Sequence, residues 1–293
     1  MKHRMATSWI GRVAAKTAIS AVMLAAIARP VPAADSPALA ADKALVAAFE
    51  KGDRATLNKY LDMDFTWIDS DGVMVTRQDV LALGLKPMVG HGAGVQIREN
   101  KVSENAVWLQ MSTSGKYSGR AWVRRPGGWK LLHTSEILAR PHEQEVNLRP
   151  SFEVPCVNPC QVVPFKPADQ VQASLLPQWQ EQVGSREQLI RHTGEIQTMV
   201  LTYGGETPPR NVRLTGPTPP SSRPPVGSPP VLWMRMWTID PETVVMVASH
   251  QGYGQKAYWA SRIFHLQSGL WLMMESYHNT IQASRVMMPV QGQ

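Results

Sequence analysis

From Asp42 to Tyr60 the apolar positions recur at helical spacing, with Leu45, Val46 and Phe49 on one face and Leu57, Tyr60 and Leu61 continuing it after Gly52-Asp53. The break predicts two helices, the second capped by Asp53. Phe65-Thr-Trp-Ile68 and Val73-Met-Val75 then flank Asp69-Ser-Asp-Gly72, which reads as strand, tight turn and strand. Thr76, with Asp79 three residues on, opens a short helix carrying Val80, Leu81 and Leu83. After the glycines at 90 to 94 the period falls to two, predicting strands at Val95 to Arg98, Ala106 to Ser112, Gly119 to Arg125 and Trp129 to Ile137. Helices first and an antiparallel sheet afterwards define an α+β domain ending near Ala139.

The pattern then starts again. Residues 140–167 read as a Pro-rich linker holding the cysteine pair. Beyond it, Leu175, Leu176 and Trp179 mark a helix, Leu189 and Ile190 a second, Ile196 to Tyr203 a strand, and Val244 to Ser249 and Ala257 to Tyr277 the late strands. Arg120, Gly127 and Trp129 share their spacing with Arg262, Gly269 and Trp271, at an offset of 142, which predicts a tandem repeat. The expected division is 1–34 leader, 41–139 first domain, 140–167 linker and 168–284 second domain. Nine prolines between Thr207 and Pro230 predict a loop without ladder bonds where the first copy has its Thr76 helix.

Charge changes the picture at the amino end. The chain carries a net charge of +7, yet Lys2, Arg4, Arg12, Lys16 and Arg29 fall in the first 34 residues, which hold no acid, leaving +2 for the rest. So small an excess argues against nucleic acid as a partner. Those cations precede an uncharged apolar run, Thr17 to Ala28, and the small residues Val31-Pro-Ala-Ala34, the order of a secretory signal cleaved near Ala33 or Ala34. A run of 12 is shorter than the ~20 residues a membrane span needs. The expected product is soluble, periplasmic or secreted, and off the membrane after cleavage. In such a compartment Cys156 and Cys160 favour a disulfide, with free thiols or a metal or redox pair as alternatives.

The succession of helix, Gly-Asp, helix, Phe65-Thr-Trp-Ile-Asp-Ser-Asp-Gly72, Thr-capped helix and Arg120-Ala-Trp-Val-Arg-Arg-Pro-Gly-Gly-Trp129-Lys-Leu-Leu-His133 resembles the nuclear transport factor 2-like superfamily, in its SnoaL-like and ketosteroid isomerase-like branch. The resemblance covers 41–139, and more loosely 168–284 through Tyr258 to Trp271. It implies two cone-shaped domains, each a strongly curved antiparallel sheet wrapped on helices around an apolar pocket, with domains pairing through their sheets. It also implies a host fold for isomerases, cyclases and dehydratases as well as members without chemistry. In ketosteroid isomerases an aspartate after the first strand is the general base, opposite an oxyanion hole of a tyrosine and a protonated aspartic acid. Asp69 takes the base's place, while Leu45 and Arg120 stand where the tyrosine and the acid would be.

Candidate site residues follow. Asp69 is a catalytic base or an ordinary turn aspartate. Two-residue periodicity puts Arg120 with Trp122, and His133 with Trp129 and Leu131, so an inward Trp face would turn Arg120 and His133 into the cone. Arg120 could then bind a carboxylate, pair with Asp69 or lie at the rim; His133 could assist catalysis or be structural. Trp67, Arg120 and Trp122 complete a ligand-binding set. No metal or cofactor is expected, since the histidines lack ligand spacing and no phosphate or dinucleotide loop is present. The leading reading is an exported tandem protein whose first domain keeps a pocket for a small apolar or acidic molecule, without catalysis, and whose second domain is structural or a partner surface. Its alternatives are an acid-base enzyme acting on a hydrophobic carbonyl compound and an interaction module whose domains pair within one chain or across a homodimer. A pocket running from Asp69 to His133 would favour binding or catalysis; a cone filled with aromatic side chains would favour interaction.

Overall fold

Ser36 opens α1 (Pro37–Lys51) by accepting the Leu39 N–H, and Asp53 caps α2 (Arg54–Tyr60) by accepting the Thr56 N–H at 3.1 Å. The structure, a computed structural model, describes residues 34–140, 156–184, 186–201, 205–210, 229–251 and 256–282. The leader at 1–33, the linker stretch 141–155 and residues 211–228 of the Pro-rich run lie outside the described residues, as do the expectations placed on them. β1 (Leu61–Ile68) and β2 (Met74–Thr76) flank the 69–72 turn, and α3 (Arg77–Leu83) starts on a full capping box between Thr76 and Asp79. β3 (Gln96–Ser103), β4 (Ala106–Thr113), β5 (Lys116–Arg125) and β6 (Gly128–Leu138) complete a sheet ordered β2-β1-β6-β5-β4-β3. The expected all-antiparallel sheet is corrected at one seam, where β1 runs parallel to β6. No hairpin joins those two strands, so nothing forces them to run in opposite directions.

The second copy repeats the plan. After the bonded pair Cys156–Cys160 come α4 (Gln170–Gly184), α5 (Arg186–Arg191), β7 (Thr193–Leu201), β8 (Gly205–Arg210), β9 (Val231–Asp240), β10 (Thr243–His250), β11 (Tyr258–Gln267) and β12 (Leu270–Thr280). The second sheet is ordered β8-β7-β12-β11-β10-β9, again with its first long strand parallel to its last. The offset of 142 holds residue by residue: Ala121 pairs with His133 and Ile263 with Glu275, and both hairpins slip register at the next residue, between Ala121 and Trp122 and between Ile263 and Phe264. Two elements differ from expectation. β8 carries Pro208 and Pro209 inside an edge strand whose register shifts beside them, the place where a sheet tolerates proline. β9 has no clear alternation because both its faces are apolar, Trp233 and Trp237 on one and Met234 and Met236 on the other.

Each sheet has two apolar faces. The helix-covered face, here called the cone interior, packs Leu45, Phe49, Phe65, Trp67, Trp122 and Leu131 in the first copy and Leu175, Trp179, Met246, Phe264 and Met273 in the second. The other face packs sheet against sheet in one continuous cluster that includes Trp108, Val123 and Leu132 from the first copy and Trp233, Trp259 and Tyr277 from the second. Gly119 makes room for this: a Cβ there would stand 2.7 Å from the Trp108 ring and 2.8 Å from Tyr277, whose rings lie 5.3 Å apart. Polar links ring the apolar seam, among them Arg98 to Glu275 at 3.1 Å, Ser103 to Asp240 at 2.8 Å and Trp259 Nε1 to the Gly72 carbonyl at 2.8 Å.

Gly72 combines a φ of +76° with contact across the seam, since a methyl there would meet Ile281 Cα at 2.7 Å. Gly72→Ala should therefore destabilise the chain by roughly 2 kcal/mol or more in urea unfolding, from backbone strain and the collision together. A change under about 0.5 kcal/mol, as for an ordinary surface turn, would show that the turn does not bear on the second copy.

Candidate functional site

The first cone is organised by a buried guanidinium. Arg120 on β5 is 2% exposed and donates to Asp42 Oδ2 of α1 at 2.7 Å and to the Val89 carbonyl. Asp42 is fully buried among the apolar residues of its helix and also accepts from Trp122 Nε1 at 2.9 Å, with His91 Nε2 at 2.7 Å. Burial alone would raise the Asp42 carboxyl, but the Arg120 charge and the His91 and Trp122 bonds hold it below its ordinary value. Glu136 on β6 is buried beside this group and accepts the Met88 N–H at 2.6 Å. Burial pushes it up to about 7 against the pull of Arg120. Three buried ionisable residues thus tie down the segment 88–91.

This network redirects the expected site residues. The Asp69–Arg120 pair is not formed. Asp69 Oδ1 accepts the Asp71 and Val73 N–H groups at 2.9 and 2.8 Å, which makes it a turn aspartate, while Arg120 is taken by Asp42. The turn itself docks on the second copy, where Asn279 donates to the Asp69 carbonyl and the Gln282 N–H to that of Asp71. His133 does not look into the cone either. The register slip after Ala121 inserts Leu132 into the alternation, so Leu131 faces inward and His133 faces the seam, held between Thr66 Oγ1 at 2.9 Å and Ser261 Oγ at 2.8 Å. Burial drives it down to about 3, so it stays neutral at physiological pH.

Trp67 and Trp122 are in the cone but as packing. The space left among Leu45, Phe49, Phe65, Trp67, Arg120 and Thr134 is about 10 Å³, room for about one water, whereas a ligand pocket needs ~300 Å³ or more. Among the described residues Asp69 and His133 face away from this space, and the first cone is filled with aromatic and aliphatic side chains. A larger cleft of about 760 Å³ opens at the junction of the copies, but its charges neutralise one another through Arg125–Asp62 at 2.8 Å and Arg235–Asp64 at 2.6 Å. Among the described residues no three metal-ligating side chains come together and no helix is long and apolar enough to cross a membrane.

Periodicity gives no sign of Asp42, His91 or Glu136. An acid on an amphipathic helix reads as solvent-facing, although its place three residues before Leu45, on the buried stripe, is a usable signal. In the second cone the inward residues of β10, β11 and β12 are His250, Tyr258, Arg262, Ser276 and His278. Arg262 is 5% exposed; among the described residues its Nη2 lies 3.5 Å from His278 Nε2.

Solved structures similar to about a third of the chain include an NTF2-like (nuclear transport factor 2-like) protein from Cytophaga hutchinsonii, at 20% identity and TM-score 0.28, covering 33% of this chain and 92% of that one. An NTF2-like protein of unknown function in nutrient uptake from Rhodospirillum rubrum has 22% identity and TM-score 0.30, covering 36% and 100%. The association domain of CaMKII from C. elegans has 15% identity and TM-score 0.24, covering 31% and 85%. No family model matches the chain, and no curated protein does. The tandem architecture rests on the strand order and register of the chain itself.

Two outcomes check the first cone. Asp42→Asn leaves Arg120 buried without its counter-charge and should cost roughly 3 kcal/mol in urea unfolding, while Asp69→Asn keeps the turn acceptor and should cost under about 0.5 kcal/mol; similar costs would contradict the assignment. Glu136, ordinarily at 4.5 and here at about 7, holds a proton in the folded chain that the unfolded chain releases. Its contribution is full below pH 4.5 and lost as pH rises through 7. Glu136→Gln keeps an acceptor for Met88 and should flatten this part of the stability profile; an unchanged slope would place the titration elsewhere.

Proposed function

We propose that the chain is an exported, non-catalytic binding protein in which the first copy is a packed scaffold and the second copy holds a small molecule. The observation that carries this reading is the contrast between the two buried arginines: Arg120 is neutralised by Asp42 inside a filled cone, while Arg262, its repeat partner, faces no acid among the described residues. The enzymatic alternative needs a base and room for a carbonyl compound. Asp69 is committed to its own turn, His133 to the seam, and the space inside the first cone beside Arg120 is about 10 Å³, which supports binding over proton transfer. The interaction reading finds support of its own, because the sheet face that would pair with another domain is already covered within the chain. Export rests on the leader pattern alone.

Native mass spectrometry of the full chain purified from its own host should show a retained small molecule, and Asp69→Asn should retain it equally. A chain that emerges with nothing bound, or an Asp69→Asn variant that has lost the molecule, contradicts this reading.

A further inference from the structure

Arg262 occupies in the second copy the position of Arg120 in the first, 142 residues earlier, and among the described residues the acid that neutralises Arg120 has no counterpart there. His278 stands in the place of Glu136 at the same offset. α4 turns Leu175, Leu176 and Trp179 toward the cone, and its one carboxylate, Glu181, is exposed. Glu275 lies on the opposite face of β12, held across the seam by Arg98 and Asn100. Among the described residues the neighbours of Arg262 on this face are neutral rings and hydroxyls. Tyr258 lies between His250 and His278, with ring centroids 4.9 and 5.3 Å away, and Ser276 Oγ is 3.1 Å from His278 Nε2. His250 donates from Nδ1 to the Pro229 carbonyl at 2.9 Å.

Arg262 Nη1 is buried with no acceptor. A guanidinium taken out of water without a counter-charge is disfavoured, a cost removed by an anion that fits its planar fork. A carboxylate fits that fork with two parallel hydrogen bonds. Beyond Arg262 the same face continues as Met246, Phe264 and Met273, buried apolar side chains of the second core, two of them methionines that can adapt to the body of such a molecule. Burial, and no acid, shapes the ionisation here: it pushes Arg262 down to about 10 and, together with the Arg262 charge, His250 down to about 3.

We propose that the second cone is a binding site for a small monocarboxylate with an apolar body, its carboxylate seated on the open Nη1 of Arg262. This rests on the preceding assignment of binding to the second copy and adds the chemical class of the ligand. The full chain is titrated by tryptophan fluorescence and thermal unfolding with hexanoate, with hexanol as the neutral molecule of the same length, and with inorganic phosphate. Hexanoate should bind and raise the unfolding temperature, with hexanol and phosphate each at least tenfold weaker. Arg262→Met should lose hexanoate at least tenfold while unfolding, without ligand, no lower than the parent chain, because it removes an unpaired charge. Arg120→Met should do the reverse, losing stability through the stranded Asp42 while keeping hexanoate. Should Arg262→Met not fold, Arg262→Lys keeps the charge without the fork and should still lose hexanoate tenfold. Equal binding of hexanol and hexanoate would overturn the carboxylate assignment and leave small-molecule binding standing; phosphate binding as tightly as hexanoate would overturn the apolar body; no binding of any probe would overturn the site. An Arg262→Met chain that folds and keeps its affinity would place the carboxylate elsewhere.

Discussion

Everything else in this molecule is arranged around the packing of one sheet on the other. Trp108 and Tyr277 meet across the seam because Gly119 offers no side chain, and Trp233, Trp237 and Trp259 close the same cluster from the second copy. Aromatic side chains bury large areas each, so a seam built from them is a main source of stability rather than a casual contact between domains. Several polar groups caught in it are matched: Glu275 meets Arg98 and Asn100, Asp240 meets Ser103, and His133 lies between two hydroxyls, while Trp108 Nε1 and Trp237 Nε1 have no acceptor among the described residues.

That packing decides what each copy can do. A sheet with both faces covered has only its helix-covered interior left for a ligand, and anything on its outer face becomes structural. His133 and the 69–72 turn lie on or against the seam, so residues that on another background could serve chemistry serve docking here. The interiors are free to diverge. The first is closed around Arg120, Asp42 and Glu136; the second keeps the arginine, replaces Glu136 by His278 and presents leucines from its helix.

The fold is largely legible in the sequence where local chemistry is explicit. Asp53 and the Thr76–Asp79 box mark helix starts by their capping geometry, and the Arg, Gly and Trp trio at an offset of 142 extends into a register that repeats down to the position of its bulge. The candidate site is much less so. The bulge that turns His133 away falls within Trp129-Lys-Leu-Leu-His133, with no glycine or proline to announce an extra residue, and one missed residue inverts every later side chain. Asp69 in a turn looks the same whether it faces a pocket or its own backbone. Asp42 is visible only as an acid on an apolar stripe, and what makes it important, an arginine 78 residues away, is a tertiary fact.

If the seam is a shared core, the two copies cannot unfold separately. Differential scanning calorimetry of the full chain tests this most directly, by comparing the measured enthalpy with the van't Hoff enthalpy of the transition. A single transition with the two enthalpies equal is the predicted result. Two resolved transitions, or a measured enthalpy near twice the van't Hoff value, would mean that the copies are independent domains and that the packing between their sheets does not organise the molecule.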